Sequence, residues 1–240
     1  MDKYFERKLF PDIIDNKKIS YDPTFIARRF SKFYKIYGEE IVDNHRVFQK
    51  AREMFTAAGF LYALSTFANI KHTLSPAYDE STPDVYGYYC VSHKKIKDSK
   101  KRIVMNIEIT DWEKHSDETL SERILGKLKN KIYPSNYHLL VYVSKEGEKN
   151  KILEDISYLS KIDLNIKAIW ALGSFRKNQK DEFRIVNIYN KSMKSGFYLE
   201  LNINNFFNKK INPFDFSFSI KGRGKDFFSG IYPLAYPTLK

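Results

Sequence analysis

Residues 103–109, IVMNIEI, constrain this chain more than any other stretch. The run is apolar and β-prone, as a central strand of a sheet is. Yet it holds one acid, Glu108. A carboxylate inside such a strand is costly to bury unless it is paired or bound to a cation. The bland alternative is a strand acid that faces solvent. A sheet with an acid near the end of one strand is therefore the frame for the rest of the chain.

The flanking pattern supplies the neighbours. A second strand is expected near 84–91, joined to a strand at 102–110 by the Lys-rich stretch HKKIKDSKK as a hairpin. Upstream, Val47, Ala51, Met54, Phe55, Ala58 and Tyr62 recur three or four apart. That spacing predicts one long helix from about Asn44 to Asn69, capped by Asp43 or Asn44. Residues 1–40 read as short helices broken at Pro11 and Pro23, and 70–83 as a loop. A helix is expected over 117–132, with Asp117 and Glu118 in its first turn. A strand at 138–143, a helix at 148–161 and a strand at 166–172 follow. Strands near 183–189 and 197–203 and a short helix at 203–210 complete the regular part. The order implies a mixed α/β or α+β core, a mixed central sheet flanked by helices. Its parts are a helical extension at 1–43, a core at 44–210 and a C-terminal extension or linker at 211–240.

Composition narrows the function classes. With 42% apolar residues, 19 Phe and 17 Tyr in 240 residues, the chain is not a disordered one. Its net charge of +12 favours a polyanion such as nucleic acid, or an anionic membrane surface. A Lys/Asn/Ile/Tyr bias inherited from base composition would give the same charge. The single cysteine, Cys90, excludes an internal disulfide and a zinc-finger cluster and fits a reducing compartment. No apolar run reaches the length of a membrane helix, and the N-terminus MDKYFERKLF does not read as a secretory signal. No Gly-rich phosphate loop is present.

Hydrolysis of a phosphodiester needs one or two divalent cations, an activated water and neutralised leaving-group charge. Hard oxygen ligands suit Mg²⁺ and Mn²⁺. Asp84, in Thr82-Pro83-Asp84, opens the first strand of the expected hairpin, and Glu108 lies near the end of the second. The Ile109 carbonyl can add a further oxygen. The ordinary reading of Pro83-Asp84 is a turn with a local side-chain bond. On a helical wheel Leu120, Ile124, Leu128 and Ile132 define the inward side, which Lys127 and Lys131 flank. Either lysine can therefore bring its charge towards the strand along an apolar stem. His72 follows the long helix, nearer to Asp84 in the chain, and is the alternative to His45 as a ligand, while His93, His115 and His138 read as structural. Tyr86, Tyr88 and Trp112 can stack a base, although aromatics beside strands more often belong to a core.

TPDVYGY followed by a strand with NIEITDW resembles the core of PD-(D/E)XK nucleases. The usual lysine two residues after the glutamate is Thr110 here. The chain is most similar to the cap-snatching endonuclease domains at the N-terminus of segmented negative-strand RNA virus polymerases, bunyavirus-like L proteins in particular. The likeness runs in order through NHRVFQKARE, TPDVYGYY, NIEIT with GKLKNKIY and HLLVYVS, and YLELNINNFF, over about residues 44–210.

The resemblance implies a metal-dependent endonuclease with two Mn²⁺ or Mg²⁺ ions. His45, Asp84, Glu108 and the Ile109 carbonyl would hold the first ion. Asp84 and Asp79 or Glu80 would share the second. Lys127, from the helix after the glutamate strand, would take the catalytic lysine's part. It further implies single-stranded RNA as substrate, the remainder of a larger polymerase as partner, and the host cytoplasm as location. Two other readings stand beside it. One is a DNA restriction endonuclease of the E-x-T type. The other is a catalytically degenerate nucleic-acid-binding module.

Overall fold

In the computed structural model the described residues are 20–77, 83–92, 100–113, 116–129, 131–143, 147–173, 182–191, 198–202, 206 and 230–231. They fall into two compact units, one of residues 20–107 with Phe206, the other of 108–202 with 230–231. The expectations for residues 1–19, for the hairpin connection at 93–99 and for nearly all of 203–240 lie outside the described residues.

The first unit begins with helix α1 (Pro23–Tyr37). Asp22 caps it by accepting from the Thr24 N–H at 2.9 Å, and Pro23 occupies the first turn, where its missing N–H costs nothing. Pro23 thus starts a helix rather than separating two. Ile26, Ala27, Phe30, Phe33 and Tyr34 form its buried face, and the helix stops at Gly38 (φ 82°).

The single long helix expected from Asn44 is interrupted. A short α2 (Glu39–Asn44) is followed by a 3₁₀ turn at Arg46–Phe48, and α3 runs only over Gln49–Ala68. The cause is local. His45 adopts an extended backbone and its side chain accepts from the Val47 N–H. Arg52 then donates to the carbonyls of Val42 (2.6 Å) and His45 (3.2 Å), holding the break. Asp43 pairs with the Tyr34 hydroxyl rather than capping α3. Every residue of α3 from Met54 to Ala63 is buried, including both sides of the helix. Phe55 stacks on Phe30 at 4.5 Å, and Phe206 packs on Phe55 and Tyr62. Asn69 ends α3 in the left-handed region (φ 51°).

The expected loop at 70–83 contains a strand instead, β1 (His72–Pro76). It pairs antiparallel with β2 (Val85–Ser92), with Leu74 opposite Gly87. β2 pairs antiparallel with β3 (Lys100–Trp112), from Ser92 opposite Lys100 to Val85 opposite Ile107. One face of this ladder, with Leu74, Val85, Met105 and Ile107, is buried, and α3 packs on β1 and β2. Gly87 permits that approach: a Cβ there would lie 3.0 Å from Leu61 Cδ2.

The second unit holds the end of β3, then α4 (Leu120–Lys129), β4 (Tyr137–Val143), the short β5 (Gly147–Glu148) and α5 (Lys149–Leu159). β6 (Ala168–Gly173), β7 (Glu182–Asn190), β8 (Tyr198–Asn202) and β9 (Gly230–Ile231) follow. The strand order is β3, β4, β6, β7, β8. β4 and β6 are parallel, with α5 in the crossover, whereas β6–β7 and β7–β8 are antiparallel. This is the mixed α/β class expected, with helices against a mixed sheet. The core gathers Trp112, Leu120, Ile124, Leu139, Val141, Ile152, Ile169 and Ile188.

α4 is shorter than expected at both ends. Thr119 and Glu122 form a reciprocal capping pair, Thr119 N–H to Glu122 at 2.8 Å and Glu122 N–H to the Thr119 hydroxyl at 3.2 Å. Asp117 and Glu118 precede the helix. The acid that meets its N-terminus is Asp155 of α5, which accepts from the Leu120 N–H and the Ser121 hydroxyl. The C-terminal end stops at Lys129, so Ile132 is not on the inward side but 95% exposed.

Candidate active site around Glu108

Alternation along β3 puts Glu108, Thr110 and Trp112 on one face, and all three are buried. Trp112 is 3% exposed and belongs to the core, and its indole N–H donates to the Glu118 carbonyl at 3.0 Å. It is therefore no surface for a base, and takes the core role that aromatics beside strands more often have.

α4 lies alongside this face and matches it in step. Lys127 Nζ is 2.8 Å from Glu108 Oε1, and four residues back Arg123 Nε donates to the Thr110 hydroxyl at 3.2 Å. Four helical residues advance about 6 Å and two strand residues about 7 Å, so the two pairs fit one spacing. The position where the nuclease pattern has a lysine is thus a buried threonine held by an arginine. The Arg123 guanidinium also faces Glu113 and Glu118 at 3.9 and 3.8 Å.

Glu108 itself is fully buried. Its Oε1 takes three donors: Lys127 at 2.8 Å, Lys131 at 3.2 Å and the Tyr133 hydroxyl at 3.2 Å. The two lysines that the wheel left as alternatives both arrive, and on the same oxygen. Lys127 comes from the last turn of α4 and Lys131 from the segment just beyond it. The other oxygen, Oε2, is buried and has no hydrogen-bond partner among the described residues. An open buried acceptor costs about 1–3 kcal/mol. One carboxylate therefore presents a saturated side and an unsatisfied side.

The remaining residues of the expected site belong to the first unit, apart from Ile109, the half-buried residue after Glu108 in β3. Asp84 is half-buried at the head of β2, and its carbonyl accepts from Lys50 Nζ (2.9 Å) and the Ala77 N–H (3.1 Å). His45 is exposed, and its Nδ1 faces the Val47 N–H at 3.3 Å. His72 is buried against Tyr89, its Nδ1 bonded with Ser65 and the Ile70 carbonyl. Burial lowers its pKa, which the Ile70 bond offsets in part. Asp79 and Glu80 lie outside the described residues. Among the described residues no three His, Cys, Asp or Glu side chains gather as a metal-holding group.

Two participants escaped the sequence reading. Tyr133 follows Lys131 in KNKIYP, past the helix, where no periodicity applies. Arg123 sits four residues before Lys127, and that helical spacing is the signal that marks it. No family model, curated protein or solved structure matches this chain. Among the described residues no helix is long and apolar enough to cross a membrane.

Proposed function

We propose that this chain is a divalent-metal-dependent endonuclease of the PD-(D/E)XK type that hydrolyses single-stranded RNA, as the cap-snatching domain of a larger viral polymerase working in the host cytoplasm. The observation that carries the reading is the asymmetry of Glu108: three donors on Oε1, none on Oε2. A buried hard oxygen with an open lone pair fits a divalent cation, and an ion pair serving stability alone would not need that side left unsatisfied.

In this proposal Glu108 is one ligand of a Mn²⁺ or Mg²⁺ pair. Asp84, the Ile109 carbonyl, His45 and Asp79 or Glu80 are the others, assigned by the sequence pattern. The metal, when bound, supplies an activated water and neutralises phosphate charge. The chain's own part is cationic. Lys127 and Lys131 hold two ammonium groups beside Glu108, where one neutralises the carboxylate and the other can stabilise an anionic phosphorane. Lys127, one-quarter exposed, is the more sheltered of the two. Arg123 and Thr110 tie α4, which carries Lys127, to β3.

Thermal unfolding with EDTA, Mg²⁺ and Mn²⁺ tests the proposal, together with cleavage of labelled single-stranded RNA, single-stranded DNA and duplex DNA. Mn²⁺ should raise the Tm of the wild type, because a ligand that binds only the folded state stabilises it. Glu108→Gln should abolish that rise and slow RNA cleavage on the order of 10²–10³-fold. A wild-type chain with neither a Mn²⁺ shift nor cleavage would leave the degenerate nucleic-acid-binding module standing. Cleavage of duplex DNA alone would favour the restriction-enzyme reading.

A further inference from the structure

The last turn of α3, the start of α1 and the head of β1 line a cavity of about 380 Å³ within the first unit. Pro23 and Ile70 give it apolar walls, and Asp22, Tyr62, Lys71 and His72 bring polar groups to it. A recess of that size with a few placed polar groups is the form that small-molecule sites take. Lys50, which meets Asp84, lies in the first turn of α3, about 22 Å along the axis from Ser65 on the cavity wall. The cavity is therefore apart from Asp84, at the other end of the same helix.

Tyr62 carries the group that calls for an explanation. Its side chain is 3% exposed, and its buried hydroxyl has no hydrogen-bond partner among the described residues. The other hydroxyls of the wall are turned to their own helix. Ser65 donates to the Leu61 carbonyl at 2.7 Å and Thr66 to the Tyr62 carbonyl at 2.9 Å. A buried hydroxyl left open weakens the fold, so one kept in that state needs a cause. Burial, then the charge of Asp22, push the Tyr62 pKa up to about 12, so the hydroxyl keeps its proton and can donate it.

Two acceptors line the same cavity. Asp22 Oδ1 is occupied by the Thr24 N–H and hydroxyl, at 2.9 and 2.7 Å. Oδ2 has the exposed Lys71 ammonium at 4.0 Å, beyond hydrogen-bond length. His72 Nδ1 meets the Ile70 carbonyl at 2.9 Å, and a carbonyl can only accept. Nδ1 therefore carries the proton of the neutral ring, and Nε2 keeps a lone pair.

We propose that this cavity binds a small neutral heterocycle by a lactam edge, its carbonyl accepting from Tyr62 and its adjacent N–H donating to Asp22, with His72 as a second acceptor. An anion would meet the Asp22 carboxylate, and a cation would compete with Lys71 for it. A C=O beside an N–H complements a donor and an acceptor on one wall, and a flat body suits the apolar sides. The base of inosine carries that edge. Purine riboside has the same body without the carbonyl or the N–H. The proposal goes beyond the nuclease reading and needs no metal.

The test is calorimetric titration of inosine into the whole chain in EDTA. Inosine should bind, and purine riboside should bind about tenfold more weakly or worse. Tyr62→Phe keeps the ring and removes only the unpartnered hydroxyl. The free variant should unfold at the wild-type Tm or above it, yet bind inosine about tenfold more weakly. Asp22→Asn keeps a residue that caps α1 and should also weaken binding.

No inosine binding, equal binding of the two nucleosides, or wild-type affinity in Tyr62→Phe would each overturn the proposal. So would a lowered Tm of free Tyr62→Phe, because the hydroxyl would then be bonded within the fold. Inosine binding that depends on Tyr62, in a chain without Mn²⁺-dependent cleavage, would remove the nuclease reading and leave this site in place.

Discussion

The two units treat their strands differently. In the second unit every residue of β4 and β6 is buried, so both faces of that pair are closed. In the first unit the β2–β3 ladder alternates, with Val85, Gly87, Met105 and Ile107 buried and Tyr86, Tyr88, Val104 and Asn106 at least partly open. A parallel pair with a helical crossover is ordinarily covered on both sides, whereas an antiparallel hairpin can keep one side wet. The chain thus separates a dry support from an accessible surface. The charged chemistry of Glu108 sits beside the dry support rather than in its middle. Sequence shows the same contrast: HLLVYV and IWAL are nearly continuous apolar runs, while VYGYYCVS mixes small, aromatic and polar residues.

The comparison can be broken at several points. The largest effect should come from Leu139→Ala in β4, whose side chain is fully buried in the second core. It should cost about 2–5 kcal/mol by urea unfolding. Val104→Ala on the open face should stay within about 0.5 kcal/mol. Equal losses would show that the strands of the two units are not closed to different degrees.

The next effect concerns the other face of β4. Burial, then the nearby Lys167 charge, hold the His138 pKa down to about 3, against an ordinary 6.5. Its Nδ1 accepts from the Trp170 indole N–H at 3.3 Å. The unfolded chain therefore binds a proton below 6.5 that the folded chain refuses. His138 contributes its full stability above 6.5 and loses it as pH falls towards 3, at about 1.4 kcal/mol per pH unit. Unfolding measured at pH 7 and pH 5 should show the wild type losing about 2 kcal/mol more than His138→Gln. Parallel behaviour of the two would mean that this face of β4 is wet.

The smallest effect sharpens the picture of the closed side of the hairpin. Gly87→Ala would place a Cβ 3.0 Å from Leu61 Cδ2 and 3.3 Å from Ile107 Cδ1. The mobile end of a leucine can yield part of that distance, so the loss should be about 1 kcal/mol, read as a lowered Tm. An unchanged or raised Tm would indicate a looser contact between α3 and β2.

Legibility followed the range of the forces involved. β4, β6 and β3 were plain because continuous apolar runs report burial directly. β1 was missed because HTLSP has no such run and ends in proline. It is a strand through pairing with β2, a contact its own residues do not announce. The break before α3 was missed because it depends on one histidine side chain bonding its own backbone. In the candidate site the wheel brought Lys127 to the correct side of α4. It misplaced Ile132, which lies past the helix end and is exposed. Lys131 reaches Glu108 from outside the helix, by a route periodicity does not describe. Tyr133 was hidden for the same reason. The Arg123–Thr110 bond, by contrast, was present in the spacing and unread.

Two ammonium groups on one carboxylate oxygen amount to a spare part. If either lysine is lost, the other still neutralises Glu108, and no stage of the exchange leaves a bare buried charge. The strand position two residues after the acid is Thr110, and the cations on Glu108 come from α4 and the segment beyond it. A search for such sites keyed to a lysine at a set distance from the glutamate would pass over this chain. One keyed to a buried acid with a cation-bearing helix behind it would find it.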